Sequence, residues 1–120
     1  MPPGLYFSHP SSLEHDTGAH PERADRVRAV EAVLERGDWL GWERRQAPEV
    51  DLARVEAVHP RSHIDAVREH SARGTAFDLD TPTSQGSWEA ALRSAGGACA
   101  MVEALLAGEA RAGFSALRPP

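Results

Sequence analysis

The chain has 120 residues, 41% of them hydrophobic and 26% charged, with a formal net charge of -5 at pH 7. These values are ordinary for one folded domain or part of one, and they exclude a disordered acidic tail or a coiled-coil rod. The acidic balance argues against nucleic acid as a direct partner, because a phosphate backbone is bound by a basic surface. A single cysteine allows neither an internal disulfide nor a cysteine-based metal site, so we expect a reducing, cytoplasmic setting. No signal peptide is evident and no apolar run approaches the ~18 residues of a membrane span, so we expect no membrane association.

The first third of the chain predicts a strand, a loop and a helix. Residues 5–7 form a short apolar run typical of a buried strand, and residues 11–20 are polar and predict a loop. Pro21 suits the first turn of a helix, which we expect to end near Arg36. The apolar residues of this helix fall on one face and are expected to point inward: Val27, Val30, Val33 and Leu34.

The middle of the chain predicts a short strand over residues 39–45 and two short helices. Asp51 suits the N-cap of a helix over residues 52–58, and a proline separates that helix from a second one over residues 61–72. Residues 74–86 then form a loop rich in Thr, Ser, Asp and Pro. A connection of this length indicates a functional loop.

Apolar residues recur at steps of three and four over residues 87–107, which predicts a long amphipathic helix. The residues expected to form its buried face are Trp88, Ala91, Leu92, Ala95, Cys99, Val102 and Leu106. Gly96 and Gly97 in its middle indicate either close approach to a sheet or another helix, or a tolerated weakness, because glycine inside a helix costs about 1 kcal/mol relative to alanine. Residues 114–117 predict a last buried strand. The order of elements is α/β, but two or three strands are few for a parallel sheet.

Three segments, in this order and spacing, resemble the start of the histone deacetylase and acetylpolyamine amidohydrolase family, particularly bacterial members near the class II deacetylases. They are residues 15–23 (HDTGAHPER), residues 78–81 (DLDT) leading into the small residues of 90–97, and residues 114–120 (FSALRPP). Each pattern alone is weak, and their combination carries the resemblance. It implies part of an open, mostly parallel arginase/deacetylase-type sheet flanked by helices, incomplete in this chain. Residues 1–120 would be the N-terminal part of a single deacetylase domain.

The resemblance implies a zinc-dependent amidohydrolase that removes the acetyl group from acetyl-lysine or from an acetylated polyamine. In the family, zinc polarises the acetyl carbonyl and a histidine activates the attacking water. The paired histidines follow the Arg-Pro-Pro segment in relatives, and the metal ligands lie further on, so we expect both beyond Pro120. No catalytic or metal residue is therefore assigned here, and the chain alone is expected to be inactive. Two alternatives remain open: a noncatalytic α/β binding or assembly module of the same fold, and an unrelated small helical regulator.

Asp80 is the substrate-binding residue that the resemblance implies. It matches an aspartate at the rim of the family's active site that accepts hydrogen bonds from the backbone amides of the substrate, a role that suits an ionised carboxylate. The alternative is a turn aspartate before Pro82. Asp78 would take the binding role if the register were shifted by two residues.

Arg23 and His20 are implied to lie near the site. Arg23 matches an arginine beside an internal channel beneath the catalytic pocket, where a guanidinium holds carbonyls or attracts acetate. The alternative is a solvated arginine in the first turn of a helix. His20 is expected to organise the start of that helix, because a metal site with His15 and Asp16 would rest on a single loop without supporting partners.

Overall fold

The computed structural model describes residues 1–120 and contains three strands and four α-helices. The strands are β1 (Leu5–Ser8), β2 (Glu43–Gln46) and β3 (Gly113–Ser115), and the helices are α1 (Ala24–Arg36), α2 (Leu52–Glu56), α3 (Arg61–Arg73) and α4 (Ser87–Leu106). Short 3₁₀ turns occupy Pro10–Leu13 and Asp38–Gly41. No helix combines the length and the apolar character that crossing a membrane would need.

The strands form one parallel sheet in the order β2-β1-β3, with β1 in the centre. Tyr6 of β1 lies opposite Arg44 of β2 and Phe114 of β3. Parallel neighbours need crossover connections, which α1 supplies between β1 and β2 and the other three helices supply between β2 and β3. The apolar run of β1 is almost fully buried because this strand is central. The predicted α/β class and the parallel arrangement of the sheet are therefore confirmed, and the first and last strands pair directly.

The core lies between the sheet and α4. Leu5 and Phe7 of β1 pack against Ala104 of α4 and Ala110 of the connection to β3. The residues of α4 that are buried are all small: Ser87, Ala90, Gly96, Gly97 and Ala104. Small side chains on this face let the helix backbone approach the sheet closely.

The paired glycines of α4 have the close contacts that their position predicts. A Cβ on Gly96 would lie 2.0 Å from the carbonyl oxygen of Pro48, and a Cβ on Gly97 would lie 2.3 Å from Cδ1 of Leu117. The Val50 amide also donates to the carbonyl of Leu92 at 3.0 Å, which joins the segment after β2 to the helix backbone. Any side chain at Gly96 would be blocked by backbone, so the prediction of close approach is confirmed.

The predicted buried face of α4 is wrong. Val102 is 51% exposed and Leu106 is 84% exposed. The other members of that face line an open cavity: Trp88, Ala91, Leu92, Ala95 and Cys99. The contact with the sheet is made instead by a different set of residues, the small ones together with Met101 and Leu105, which pack against the core of Leu5 and Phe7.

The predicted second strand begins later than expected. Residues 38–40 have φ values of 49, 54 and 56°, in the left-handed region that non-glycine residues rarely adopt, and β2 begins only at Glu43. This turn brings the Trp39 ring to 5.2 Å from the ring of Tyr6 and under the guanidinium of Arg44. Packing of Trp39 against the sheet accounts for the difference.

Two predictions of burial are also corrected. Helix α1 begins at Ala24 rather than at Pro21, and its apolar face is largely uncovered, with Val33 59% exposed. Phe114 of β3 is 49% exposed, because it lies on the face of the sheet opposite α4. The other elements lie within two residues of their predicted bounds. The predicted N-cap of α2 is present, since the Asp51 carboxylate accepts from the amide of Ala53 at 3.0 Å.

Candidate functional site

An open cavity of about 740 Å³ is lined by α2, α3, α4 and two loops, residues 15–22 and 77–83. The segments that follow all three strands contribute to its wall: residues 15–22 after β1, Val50 after β2, and Pro119 after β3. Ligands of open parallel sheets bind outside the carboxyl ends of the strands. The cavity therefore occupies the place where this fold puts a site.

Asp80 lies on the wall of this cavity, and its carboxylate makes no hydrogen bond or ion pair with the chain. The turn that contains it is closed by Asp78, whose Oδ1 accepts from the amide of Asp80 at 2.9 Å. Asp78 thus fills the turn role that was the alternative for Asp80. The Asp80 carboxylate is free to accept hydrogen bonds from a ligand, and its substrate-binding role stays a prediction.

Arg23 and His20 lie in different surroundings. Arg23 is the N-cap residue of α1, is exposed, makes no side-chain hydrogen bond and does not line the cavity. Its channel role stays a prediction. His20 lines the cavity, and its Nδ1 accepts from the amide of Glu22 at 3.0 Å. This bond closes the turn that leads into α1. The organising role of His20 stays a prediction.

A buried arginine at the carboxyl end of β3 was not predicted. Arg118 is 2% exposed, and its Nε and Nη2 donate to both carboxylate oxygens of Glu22 at 2.7 and 2.8 Å. Its Nη1 donates to the carbonyls of Ser12 and His15. A buried charge is costly unless it is paired, so the burial of Arg118 requires a partner of opposite charge. Nothing in the sequence identifies a partner that lies 96 positions away.

The ion pair shifts the pKa values of the groups around it. Burial alone would raise the pKa of Glu22, but the hydrogen bonds and charge of Arg118 outweigh burial and hold that pKa below its ordinary value. Burial, and then the charge of Arg118, lower the pKa of His15. His15 is therefore neutral at pH 7, and Glu22 is ionised.

His15 connects this pair to the start of α4. Its Nδ1 lies 2.6 Å from Oγ of Ser87, and its Nε2 lies 3.7 Å from Oε2 of Glu22. Because Ser87 Oγ already accepts from the amide of Ser84, its hydroxyl can donate to Nδ1. This arrangement leaves the Nε2 proton facing the Glu22 carboxylate.

The residues of this chain do not fit a zinc site. No three His, Cys, Asp or Glu side chains come together as metal ligands anywhere in the 120 residues. His15 is held by Ser87, and Nδ1 of His20 accepts a backbone hydrogen bond. No step of metal chemistry is assigned to these side chains.

Comparison with known proteins identifies the family. Residues 20–120 match the model of the histone deacetylase domain. The histone deacetylase-like amidohydrolase of Pseudomonas aeruginosa is 32% identical over 121 residues, covering 100% of this chain and 31% of the relative. The probable deacetylase of Archaeoglobus fulgidus is 31% identical, covering 100% of this chain and 34% of the relative.

A solved structure agrees with these relatives. The crystal structure of the HDA15 HD domain superposes on this chain with a TM-score of 0.92 at 27% identity, covering 100% of this chain and 36% of that structure. The chain spans about a third of the length of these relatives. Because the family model matches most of its residues, the chain belongs to the histone deacetylase family.

Proposed function

We propose that residues 1–120 are the N-terminal part of a single deacetylase domain, whose complete form hydrolyses the acetyl amide of acetyl-lysine or of an acetylated polyamine. Family membership supports a deacetylase or amidohydrolase activity in general. Zinc dependence is part of the proposal, with the catalytic histidine pair and the Zn²⁺ ligands supplied by residues outside this chain. We further propose a cytoplasmic protein that neither binds nucleic acid directly nor associates with a membrane.

The observation that carries the proposal is the unpaired carboxylate of Asp80 at the cavity wall. An ionised carboxylate accepts several hydrogen bonds, and hydrogen bonds that involve a charged group are about twice as strong as neutral ones. In the proposed function, Asp80 accepts from the backbone amides that flank the acetylated side chain of the substrate. Its contribution is to binding and orientation rather than to the chemical step.

The test of Asp80 uses the protein produced from the complete reading frame that contains these residues. Hydrogen bonds to a charged group contribute about 1.5–3 kcal/mol, so Asp80→Ala should raise KM for an acetyl-lysine peptide by roughly 10- to 100-fold. Asp80→Asn, which keeps one acceptor oxygen, should give a smaller rise. Metal content, measured by elemental analysis, should not change in either variant. An unchanged KM would remove Asp80 from the site.

The matched control is Asp65→Asn on α3. Asp65 is an exposed carboxylate that pairs with Arg61 and does not line the cavity. Its replacement should leave KM unchanged. An equal rise in KM for Asp65→Asn would mean that general loss of negative charge, rather than a contact with substrate, explains the Asp80 result.

The alternative function is a noncatalytic binding or assembly module with the same fold. The absence of a ligand set within these residues is compatible with either proposal. Turnover of an acetylated peptide or polyamine distinguishes them, measured with added Zn²⁺ for the 120-residue chain and for the product of the complete reading frame. The deacetylase proposal expects turnover only from the latter, and no turnover from either protein would favour the module.

A further inference from the structure

The turn that carries Asp80 is held together internally. The amide of Phe77 donates to the carbonyl of Thr81 at 3.0 Å, and the amide of Thr81 donates to the carbonyl of Asp78 at 3.3 Å. With the bond from the Asp80 amide to Asp78 Oδ1, these contacts fix the orientation of Asp80 within the turn. The position of the turn relative to the helices must be set by something else.

Residues 77–82 make no hydrogen bond to the helices that would set that position. Every hydrogen bond made by residues 77–82 lies within the same segment, and none of their side chains forms an ion pair with the rest of the chain. Leu79 at the tip is 98% exposed, so it supplies no packing. This leaves Phe77 as the large apolar side chain available to attach the turn to the body of the protein.

The ring of Phe77 lies against α3. Its centroid is 4.0 Å from the ring of His70 and 6.2 Å from the ring of His63. His70 is itself fixed, because its Nδ1 lies 2.8 Å from Oγ1 of Thr75, and Thr83 Oγ1 donates to the carbonyl of Thr75 at 2.6 Å. Thr75, which is itself bonded to Thr83, therefore holds the His70 ring in place beneath Phe77.

We propose that Phe77, packed on His70, is a positioning residue that places the Asp80 carboxylate for substrate recognition. This inference rests on the proposed function, since it acts through the role of Asp80. Asp78 shapes the turn from within, and the pair of Phe77 and His70 joins the turn to α3. Loss of the Phe77 ring should leave the turn formed but free to move relative to the cavity.

The first test is kinetic and uses the protein from the complete reading frame. Aromatic pairs of this geometry are modest in energy, so Phe77→Ala should raise KM by roughly 2- to 10-fold, with kcat nearly unchanged. Phe77→Tyr keeps the ring and should restore the wild-type KM. In an Asp80→Ala background, Phe77→Ala should have no further effect, because the two residues act in one step. Independent, additive effects, or a wild-type KM for Phe77→Ala, would overturn the proposal.

The second test is amide hydrogen exchange. A general loss of stability would accelerate exchange across the protein, whereas loss of the Phe77 contact should accelerate it in one segment only. Phe77→Ala should accelerate exchange in residues 77–82 and leave α3 and α4 unchanged, whereas the control Leu79→Ala should alter neither exchange nor KM. Wild-type exchange in residues 77–82 of Phe77→Ala would overturn the anchoring role. If Asp80→Ala raises KM but Phe77→Ala does not, this inference fails and the proposed function stands. If Asp80→Ala has no effect, the role of Asp80 falls, and the positioning role falls with it.

Discussion

Replacement of Glu22 by glutamine tests whether the buried ion pair stabilises the carboxyl edge of the sheet. Glutamine keeps the shape of the side chain but removes the charge that faces Arg118, whose side chain is 3% exposed. Removing one partner of a buried ion pair costs about 3–5 kcal/mol. We expect the free energy of unfolding to fall by an amount near the lower end of this range, about 3 kcal/mol. The reason is that Arg118 keeps its hydrogen bonds to the carbonyls of Ser12 and His15, and that the Glu22 side chain is 24% exposed.

The same substitution predicts a pH dependence with a defined sign. The pKa of Glu22 is lower in the folded protein than its ordinary value of 4.5, so the unfolded chain takes up a proton first as pH falls. The stabilising contribution of the ionised carboxylate is complete above pH 4.5 and is lost as pH falls through the lowered pKa. The difference in unfolding free energy between wild type and Glu22→Gln should therefore narrow below pH 4.5.

The assay is urea-induced unfolding followed by circular dichroism, at neutral pH and at several values below pH 4.5. The control is Asp25→Asn in the first turn of α1, where the carboxylate pairs with Arg28 and both side chains are exposed. Exposed pairs contribute about 0–1 kcal/mol, so this variant should unfold close to wild type. A loss below about 1 kcal/mol for Glu22→Gln would place its ion pair among these weak surface pairs. If the difference in unfolding free energy between wild type and Glu22→Gln stayed constant below pH 4.5, the pKa of Glu22 would not be lowered in the folded protein.

Two further predictions concern α4 and His15. The Cβ of Gly96→Ala would meet the Pro48 carbonyl oxygen at 2.0 Å, so overpacking should lower the free energy of unfolding by roughly 1–3 kcal/mol in the same urea assay. A stabilised variant would show that the helix lies further from that segment. The lowered pKa of His15 means that the unfolded chain protonates first as pH falls below 6.5, so stability should decrease there. His15→Asn should weaken this dependence of the unfolding free energy on pH. An unchanged dependence would mean that another group causes it.

Local signals in the sequence predicted the secondary structure well. The aspartate before α2 and the steps of three and four in α4 each depend on interactions within a few residues. Burial was harder to predict, because it depends on which surfaces meet. Val33 and Val102 have the spacing of core residues but lie exposed in this chain. The contact between α4 and the sheet is instead made by Met101 and Leu105 together with glycine and alanine, and a hydrophobic pattern ranks the glycines and alanines low.

The site was predictable only in part, and for a similar reason. Family resemblance indicated Asp80, and its sequence context could not decide between a binding role and a turn role. In the structure Asp78 closes the turn, so the Asp80 carboxylate is left unpaired, and its binding role stays a prediction. The pair of Glu22 and Arg118 had no local signal at all. A long-range ion pair depends on the fold, and the fold had to be known before the partner could be named.

The middle and the C-terminal end of the loop over residues 74–86 are held by different kinds of contact, which separates stability from substrate placement. At its C-terminal end, Ser84 Oγ donates to the carbonyl of Glu14 and accepts from the amide of Asp16. The Ser84 amide also binds Ser87, which contacts His15. This end therefore shares the polar network of the sheet edge, whereas the turn with Asp80 depends on a ring contact with α3. Loosening the turn should alter recognition of substrate without unfolding the network beneath it.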